Sequence, residues 1–261
     1  PLIYEFTYDQ KISVGAPFYN AIFIPITLIA CIFLYFSIDS KWQQGFNLKA
    51  LYRPLFLSII SSILIVVLIG YKFSITGFWT FASLIIGLII IIRYLIVIYF
   101  YFAYKKFANH FSIISHCGLG LLIISIALND NLSSERALNI KINETEIYKN
   151  HQITFTNLRL VPGPNYDSVK ADFLIAHPNG NTFTLTPEKR KYFARGQVTT
   201  ETAIHASALK DIYMTIGDQL DDGSWIVNIQ FNVFIRWIWF SAIMMVVAGL
   251  LLVHSLARSR S

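Results

Sequence analysis

The sequence has little charge and almost no cysteine. Only 14% of its 261 residues are charged, well below the roughly 25% of an ordinary soluble domain. Two cysteines cannot supply a disulfide framework, and a hydrophobic content of 55% argues against a disordered chain. This composition excludes a typical soluble enzyme and indicates a membrane protein.

Acidic residues are scarce outside one segment. Residues 129–231 contain 12 acidic and 10 basic side chains, whereas the rest of the chain contains 3 acidic and 11 basic ones. The chain therefore divides into a near-neutral polar insert and a basic, very apolar remainder. Since no stripe of Lys and Arg with interleaved aromatic residues occurs, we expect no nucleic-acid partner.

Five apolar windows are long enough to cross a bilayer core of about 30 Å, which takes about 20 helical residues. They are residues 18–38, 54–71, 77–101, 110–128 and 234–254, the second starting at Pro54 as an N-terminal helix residue. The loops 39–53 and 102–109 and the C-terminal tail hold 7 Lys and Arg, whereas the other short segments hold only Lys11 and Lys72. The positive-inside rule then places these three segments inside, and the N-terminus and the insert outside.

The insert alternates apolar and polar residues in short runs that are separated by turn-forming clusters. This period of two predicts a small antiparallel β-domain, either a sandwich or a partly open barrel. The predicted strands are residues 138–142, 153–156, 170–175, 182–185, 211–215 and 225–231. The fold class is therefore a polytopic α-helical membrane protein with five transmembrane helices and an extramembrane β-rich domain before the last helix.

These patterns divide the chain into four predicted regions. They are an outside N-terminal segment (1–17), a membrane domain with four transmembrane helices (18–128), the β-rich domain (129–231), and the last transmembrane helix with an inside tail (232–261). The sequence begins at Pro1 with no signal peptide. We therefore expect it to be a portion of a longer protein.

His116 is the conspicuous candidate for chemistry. The sequence has no His-x-x-x-His, Cys-x-x-Cys, Gly-x-Ser-x-Gly or Walker motif, so hydrolase and nucleotide-binding functions lack support. An ionisable residue inside a predicted span is by default a functional hypothesis. Ser112 and Gly120 lie four residues to either side on the same helix face, which would leave flat space for a porphyrin beside an axial imidazole. The alternative is a histidine that hydrogen-bonds to a neighbouring helix.

The remaining histidines and charged motifs have plainer interpretations. His110 and His254 are expected at the membrane interface, and His151, His177 and His205 on the solvated surface of the β-domain. Arg93 either snorkels toward the inner face or pairs with an anion such as a propionate. Residues 187–192 indicate a solvated strand edge, or else a docking surface. Residues 236–239 indicate an interfacial anchor.

Several segments together resemble the C-terminal part of the CcmF family, the membrane haem lyase subunit of cytochrome c maturation. Each motif is weak alone, but five in order across almost the whole chain are specific. They are Ile12-Ser-Val-Gly-Ala-Pro-Phe-Tyr-Asn20, Ser115-His-Cys-Gly-Leu-Gly120, Pro187-Glu-Lys-Arg190 with Tyr192, Asp211-Ile-Tyr213 with Gly217, and Arg236-Trp-Ile-Trp239.

The resemblance implies a function. The family attaches haem to the Cys-x-x-Cys-His motif of apocytochrome c and carries a transmembrane haem b held by two histidines. His116 matches the second axial ligand of that haem iron, and we take Gly120 as a further haem-binding residue. The first ligand, and a Trp-rich segment with two further histidines for substrate haem, are absent from this sequence. They are expected on a missing N-terminal portion, or on a split-gene partner, so that this chain alone would not be catalytic.

The resemblance also implies partners and a location. The expected partners are the missing portion, other cytochrome c maturation subunits, a haem chaperone, apocytochrome c and membrane lipid. The expected location is the bacterial inner membrane, with residues 129–231 periplasmic and the C-terminus cytoplasmic, or alternatively the mitochondrial inner membrane. Two other functions stay open, namely a structural assembly subunit without its own haem and a transporter fragment.

Overall fold

A computed structural model describes residues 15–37, 48–104, 110–194 and 196–258. Several residues on which the predicted topology depends lie outside the described part of the chain. They are Lys11, Lys41, Lys105, Lys106 and Arg260.

Five long helices match the five predicted spans. They are α1 (Ala16–Ser37), α2 (Leu48–Phe73), α3 (Phe78–Tyr104), α4 (His110–Leu132) and α5 (Ile235–Arg258). Each is long and apolar enough to cross a membrane, which confirms the prediction of five such helices. The predicted start of the second helix was wrong, because α2 begins at Leu48 and Pro54 lies inside it. A proline there removes a single intrahelical donor, and the helix continues on both sides of it.

Glycines allow the helices of the membrane unit to approach closely. A Cβ added at Gly120 of α4 would lie 2.8 Å from the carbonyl oxygen of Gly87 in α3, and one added at Gly87 would lie 2.9 Å from the carbonyl oxygen of Gly120. A Cβ at Gly118 would lie 3.2 Å from the carbonyl oxygen of Ser241 in α5. Small residues at such crossings are the usual means of packing helices in lipid.

The β-domain has ten described strands in two antiparallel sheets. One sheet has the order β1-β10-β9-β8, and the other the order β2-β3-β4-β6-β7, with β5 also paired to β4. The predicted β-rich domain before the last helix is therefore confirmed. The strands are β1 (Ser134–Ile140), β2 (Thr145–Tyr148), β3 (His151–Pro162), β4 (Tyr166–Ala176), β5 (Thr182–Leu185), β6 (Glu188–Tyr192), β7 (Val198–Glu201), β8 (Ala203–His205), β9 (Lys210–Gln219) and β10 (Trp225–Val233).

Alternating side chains of both sheets form the core of this domain. In β9, for example, Ile212, Met214 and Ile216 are all buried, and the alternation fixes the register because a one-residue slip would expose them. The β9–β10 ladder shifts register between Trp225 and Val227. Gly217 lies beside this bulge, where an added Cβ would come within 3.2 Å of the Ile226 Cβ.

The charged segment 187–192 is not a solvated edge, so that prediction was wrong. Strand β6 lies inside its sheet, between β4 and β7, and Glu188 is 8% exposed. Ser168 donates a hydrogen bond of 2.6 Å to this carboxylate, and Arg190 and Lys170 pair with it. Burial opposes ionisation of Glu188, but these partners outweigh it and hold the pKa of the carboxyl below its ordinary value.

Replacing Glu188 should therefore destabilise the β-domain. Glu188→Gln removes the negative charge and leaves Arg190 and Lys170 without their shared partner, which should cost about 1–3 kcal/mol of unfolding free energy. Chemical unfolding followed by tryptophan fluorescence measures this loss. Glu135→Gln is the matched control, since Glu135 is exposed on β1. Equal stability of the two variants would contradict the role of this network.

Candidate functional site

His116 is held in a defined orientation within the helices of the membrane unit. Its Nδ1 lies 2.8 Å from the carbonyl oxygen of Ser112, one turn earlier in α4. It also lies 2.9 Å from the Ser112 hydroxyl and 2.6 Å from the hydroxyl of Tyr94 in α3. A carbonyl oxygen can only accept a hydrogen bond, so the contact with Ser112 favours the tautomer with the proton on Nδ1, which leaves the lone pair of a neutral ring on Nε2.

Tyr94 fixes the plane of the imidazole. The two rings are nearly parallel, with centroids 5.2 Å apart and an interplanar angle of 12°. Tyr94 is 2% exposed and belongs to a buried cluster with Cys31, Ile90 and Ile123. Within the described residues no hydrogen bond reaches Nε2 of His116. An imidazole with one engaged nitrogen and one available nitrogen is the arrangement that a histidine ligand of iron requires.

Gly120 has a packing role in this structure. The space that it leaves is used by α3, because an added Cβ would lie 2.8 Å from the Gly87 carbonyl oxygen and 2.9 Å from the Ile91 side chain. A haem-binding role of Gly120 stays a prediction.

The described residues contain no group of three or more His, Cys, Asp or Glu side chains that could hold a metal ion.

Arg93 is 6% exposed and lies next to Tyr94 in α3. Snorkelling of Arg93 toward the inner face of the membrane stays a prediction. Pairing of Arg93 with an anion such as a propionate stays a prediction.

The prediction that His151 lies on the solvated surface of the β-domain was wrong. His151 is 3% exposed, and its Nδ1–H donates a 2.8 Å hydrogen bond to the Lys149 carbonyl oxygen. Its ring packs against Phe231 and His177, with centroid distances of 5.0 and 4.7 Å. The reason is the strand period, since His151 lies on the same buried face of β3 as Ile153 and Phe155.

The other histidines are more accessible. His177, His110 and His254 are exposed. His205 is half-buried and stacks on Phe183 with ring centroids 3.7 Å apart, so it is not a freely solvated side chain.

Two motifs that are distant in sequence meet in an ion pair that sequence reasoning missed. Asp211 at the start of β9 is buried, and it accepts hydrogen bonds from the Ser207 backbone N–H at 2.9 Å and from Arg236 Nε at 3.1 Å. Arg236 therefore ties the beginning of α5 to β9, in addition to any interfacial role. Trp239 is 69% exposed, as an aromatic residue facing lipid would be.

Comparisons with known proteins give a consistent result. Residues 131–233 match the family model of the CcmF C-terminal β-sandwich. The chain is similar to the cytochrome c-type biogenesis proteins CcmF of Pseudomonas fluorescens, with 25% identity over 260 residues, and of Escherichia coli strain K12, with 26% over 263 residues. Each alignment covers 96% of this chain and 39% of the relative. The chain thus spans about two fifths of the length of these relatives.

A solved structure has the same fold. The chain is similar to a cytochrome c haem lyase CcmF with a TM-score of 0.73 and 14% sequence identity, covering 90% of this chain and 40% of that one. At this identity the likeness shows the fold alone.

The buried His151 should make the stability of the β-domain sensitive to acid. Burial lowers the pKa of His151 and the nearby positive charges of Lys210 and His177 add to this, although the hydrogen bond to Lys149 opposes it. The unfolded chain then binds this proton more tightly than the folded one. Stability is therefore full above about pH 6.5, the ordinary histidine pKa, and falls as the pH drops below it.

The variant His151→Leu should lose this part of the pH dependence, because it has no group to protonate. Thermal unfolding of both proteins across this pH range, followed by near-ultraviolet circular dichroism, measures the difference. An identical pH slope in the two proteins would contradict the assignment.

Proposed function

We propose that this chain, which is similar to the C-terminal portion of CcmF proteins, is a component of a haem lyase for cytochrome c maturation. In this proposal His116 supplies one axial ligand of a transmembrane haem b. The second ligand lies on the N-terminal portion, which corresponds to the part of the relatives that this chain does not cover. The assembled protein supports the covalent attachment of haem to apocytochrome c, whereas this chain alone is not catalytic.

The orientation of the His116 ring is the observation that carries the proposal. Ser112 and Tyr94 engage Nδ1 at distances of 2.6–2.9 Å, and they leave the Nε2 lone pair for iron. Hydrogen bonding at the far nitrogen fixes the tautomer and makes the imidazole a stronger donor. Haem bound there would supply one-electron redox chemistry. The residues of this chain orient the ligand and surround it with apolar side chains.

The β-domain and the membrane helices have separate tasks in this proposal. The protein lies in the bacterial inner membrane, or in its mitochondrial equivalent. The bias of Lys and Arg in the short loops supports a periplasmic position for residues 129–231 and a cytoplasmic C-terminus. The β-domain then faces the compartment in which other maturation subunits, a haem chaperone and apocytochrome c would meet the enzyme.

A structural assembly subunit without haem is the second candidate. The contact between Tyr94 and His116 joins α3 to α4, as the interpretation of His116 as a hydrogen-bonding link between helices requires. Such a role uses Nδ1 alone and gives no reason for an available Nε2. The transporter alternative finds less support, since the described spans α3, α4 and α5 are continuous helices.

Removing the proposed ligand should remove the haem. When the chain is co-expressed with its N-terminal portion, His116→Ala should abolish the b-type pyridine haemochrome signal of the purified assembly. His110→Gln is the control, because it changes an exposed imidazole near the start of the same helix. Assembly of both portions with an unchanged haem content in His116→Ala would favour the structural subunit instead.

Removing the Tyr94 hydroxyl should weaken the haem without displacing it. Tyr94→Phe keeps the stacked ring but deletes the contact with Nδ1, and loss of such a partner typically lowers metal affinity by about tenfold or more. Transfer of haem to an excess of apomyoglobin measures this retention. Phe100→Leu, at an exposed position of α3, is the control. Equal retention in Tyr94→Phe and the control would show that the hydroxyl does not support a ligand.

A further inference from the structure

Basic side chains lie at one end of the apolar core of the β-domain. In four strands, every second residue is a buried apolar one. At the same end of the domain, this series of alternate residues ends in a cationic or titratable side chain. The four series are Ile140, Leu138 and Arg136 in β1; Ile216, Met214, Ile212 and Lys210 in β9; Phe155, Ile153 and His151 in β3; and Phe173, Ile175 and His177 along and after β4. We call Arg136, His151, His177 and Lys210 the basic end.

The basic end is one cluster held around two aromatic rings. Lys210 Nζ lies 4.1 Å from the Phe231 ring centroid, and the His151 ring packs on the same phenyl group. His177 contacts His151. The Arg136 guanidinium lies 5.7 Å from the Tyr148 ring, which is itself 5.4 Å from Phe231. The four bases therefore face a common region.

The cations of this cluster differ from other cations of the domain in their ion pairing. Within the described residues, neither Arg136 nor Lys210 is in an ion pair, and Glu146, which precedes Tyr148 on the same strand face, pairs with neither of them. By contrast Arg159, Lys189 and Arg190 of the same domain all pair with carboxylates. Lys210 is half-buried, and within the described residues its ammonium contacts an aromatic ring but pairs with no carboxylate, so the burial of its charge is costly.

Two further observations favour an anion-binding site. Nε2 of His151 is buried and has no hydrogen-bond partner in the part of the chain that the structure describes. Burial lowers the pKa of the Lys210 ammonium, and the charge of the neighbouring Lys149 lowers it further. An anion bound between these groups would supply the negative charge, and it would accept a hydrogen bond from Nε2 of His151 in the doubly protonated ring, since Nδ1 already donates to Lys149.

The connectivity of the chain places the basic end close to lipid headgroups. Lys210 pairs with Val233, which is two residues before Ile235, the first residue of a candidate span. At about 3.3 Å per residue and about 5 Å between paired strands, Lys210 lies within roughly 12 Å of that residue. The headgroup region extends several Å beyond the hydrocarbon core, and a lysine side chain can reach across the remainder.

We propose that the basic end binds the phosphate of an anionic phospholipid headgroup. Arg136 and Lys210 supply the charge, and His177 and His151 supply additional donors when protonated. This site is independent of the haem proposal, since it uses only residues of the β-domain. Bound lipid would stabilise the domain at the end where the chain enters and leaves it.

The test uses the full chain in detergent micelles. Native mass spectrometry during titration with dioleoyl phosphatidylglycerol gives the concentration for half occupancy. With roughly 1 kcal/mol for each basic residue near an anionic surface, Arg136→Gln with Lys210→Gln should raise this concentration about tenfold or more. The matched control is Lys141→Gln with Lys191→Gln, which removes the same charge away from the basic end. Lys141 follows the opposite end of β1, and Lys191 of β6 is the strand partner of Asp167 at the opposite end of β4. The control should bind like the wild type.

Several outcomes would overturn the proposal. They are equal binding by the double variant and the wild type, equal binding of zwitterionic phosphatidylcholine, and displacement of the lipid by inorganic phosphate at concentrations comparable to those of the lipid. The last result would identify a free phosphate as the ligand. Circular dichroism checks the fold, and if the double variant unfolds, the single Arg136→Gln change at an exposed position should still weaken lipid binding about threefold or more.

Discussion

Polar groups in an apolar chain must find a partner, and this constraint organises the whole molecule. The imidazole of His116 is engaged by Ser112 and Tyr94, the carboxylate of Glu188 by Ser168 and two cations, and Asp211 by Arg236. Each of these groups would be costly if it were buried alone. Within the described residues, Nε2 of His116 and Nε2 of His151 have no hydrogen-bond partner, and both nitrogens are suited to a ligand from outside the chain.

The two parts of the chain meet this constraint by different means. In the helices the backbone satisfies itself, and contact depends on small residues such as Gly87 and Gly120 that let α3 and α4 approach. In the β-domain the backbone pairs between strands, and an alternating apolar face forms the core. The same alternation brings His151 into that core and lines up the bases at its end. The alternation of side chains along the strands therefore determines both the core of the β-domain and the position of the basic end.

Local patterns in the sequence predicted the helices and most of the long strands, because hydropathy and alternation are properties of neighbouring residues. Strand β6 was missed because its charges resemble a solvated segment, although they are neutralised by β4 and β7 across the sheet. The pairing of Asp211 with Arg236 spans 25 residues and has no local signal. The burial of His151 did have a local signal, since His151 lies at the same alternate positions of β3 as Ile153 and Phe155. The contact of Tyr94 with His116 joins two helices and could not be read from either one.

In the proposed function, Nε2 of His116 coordinates haem iron in an assembly with the N-terminal portion. A cryo-electron microscopy structure of that assembly tests it most directly. Density for a haem is expected between the two portions, with its iron bound to Nε2 and with Ser112 and Tyr94 still engaging Nδ1. An Nε2 that instead hydrogen-bonds to a side chain of a neighbouring helix, with haem absent or ligated elsewhere, would contradict it.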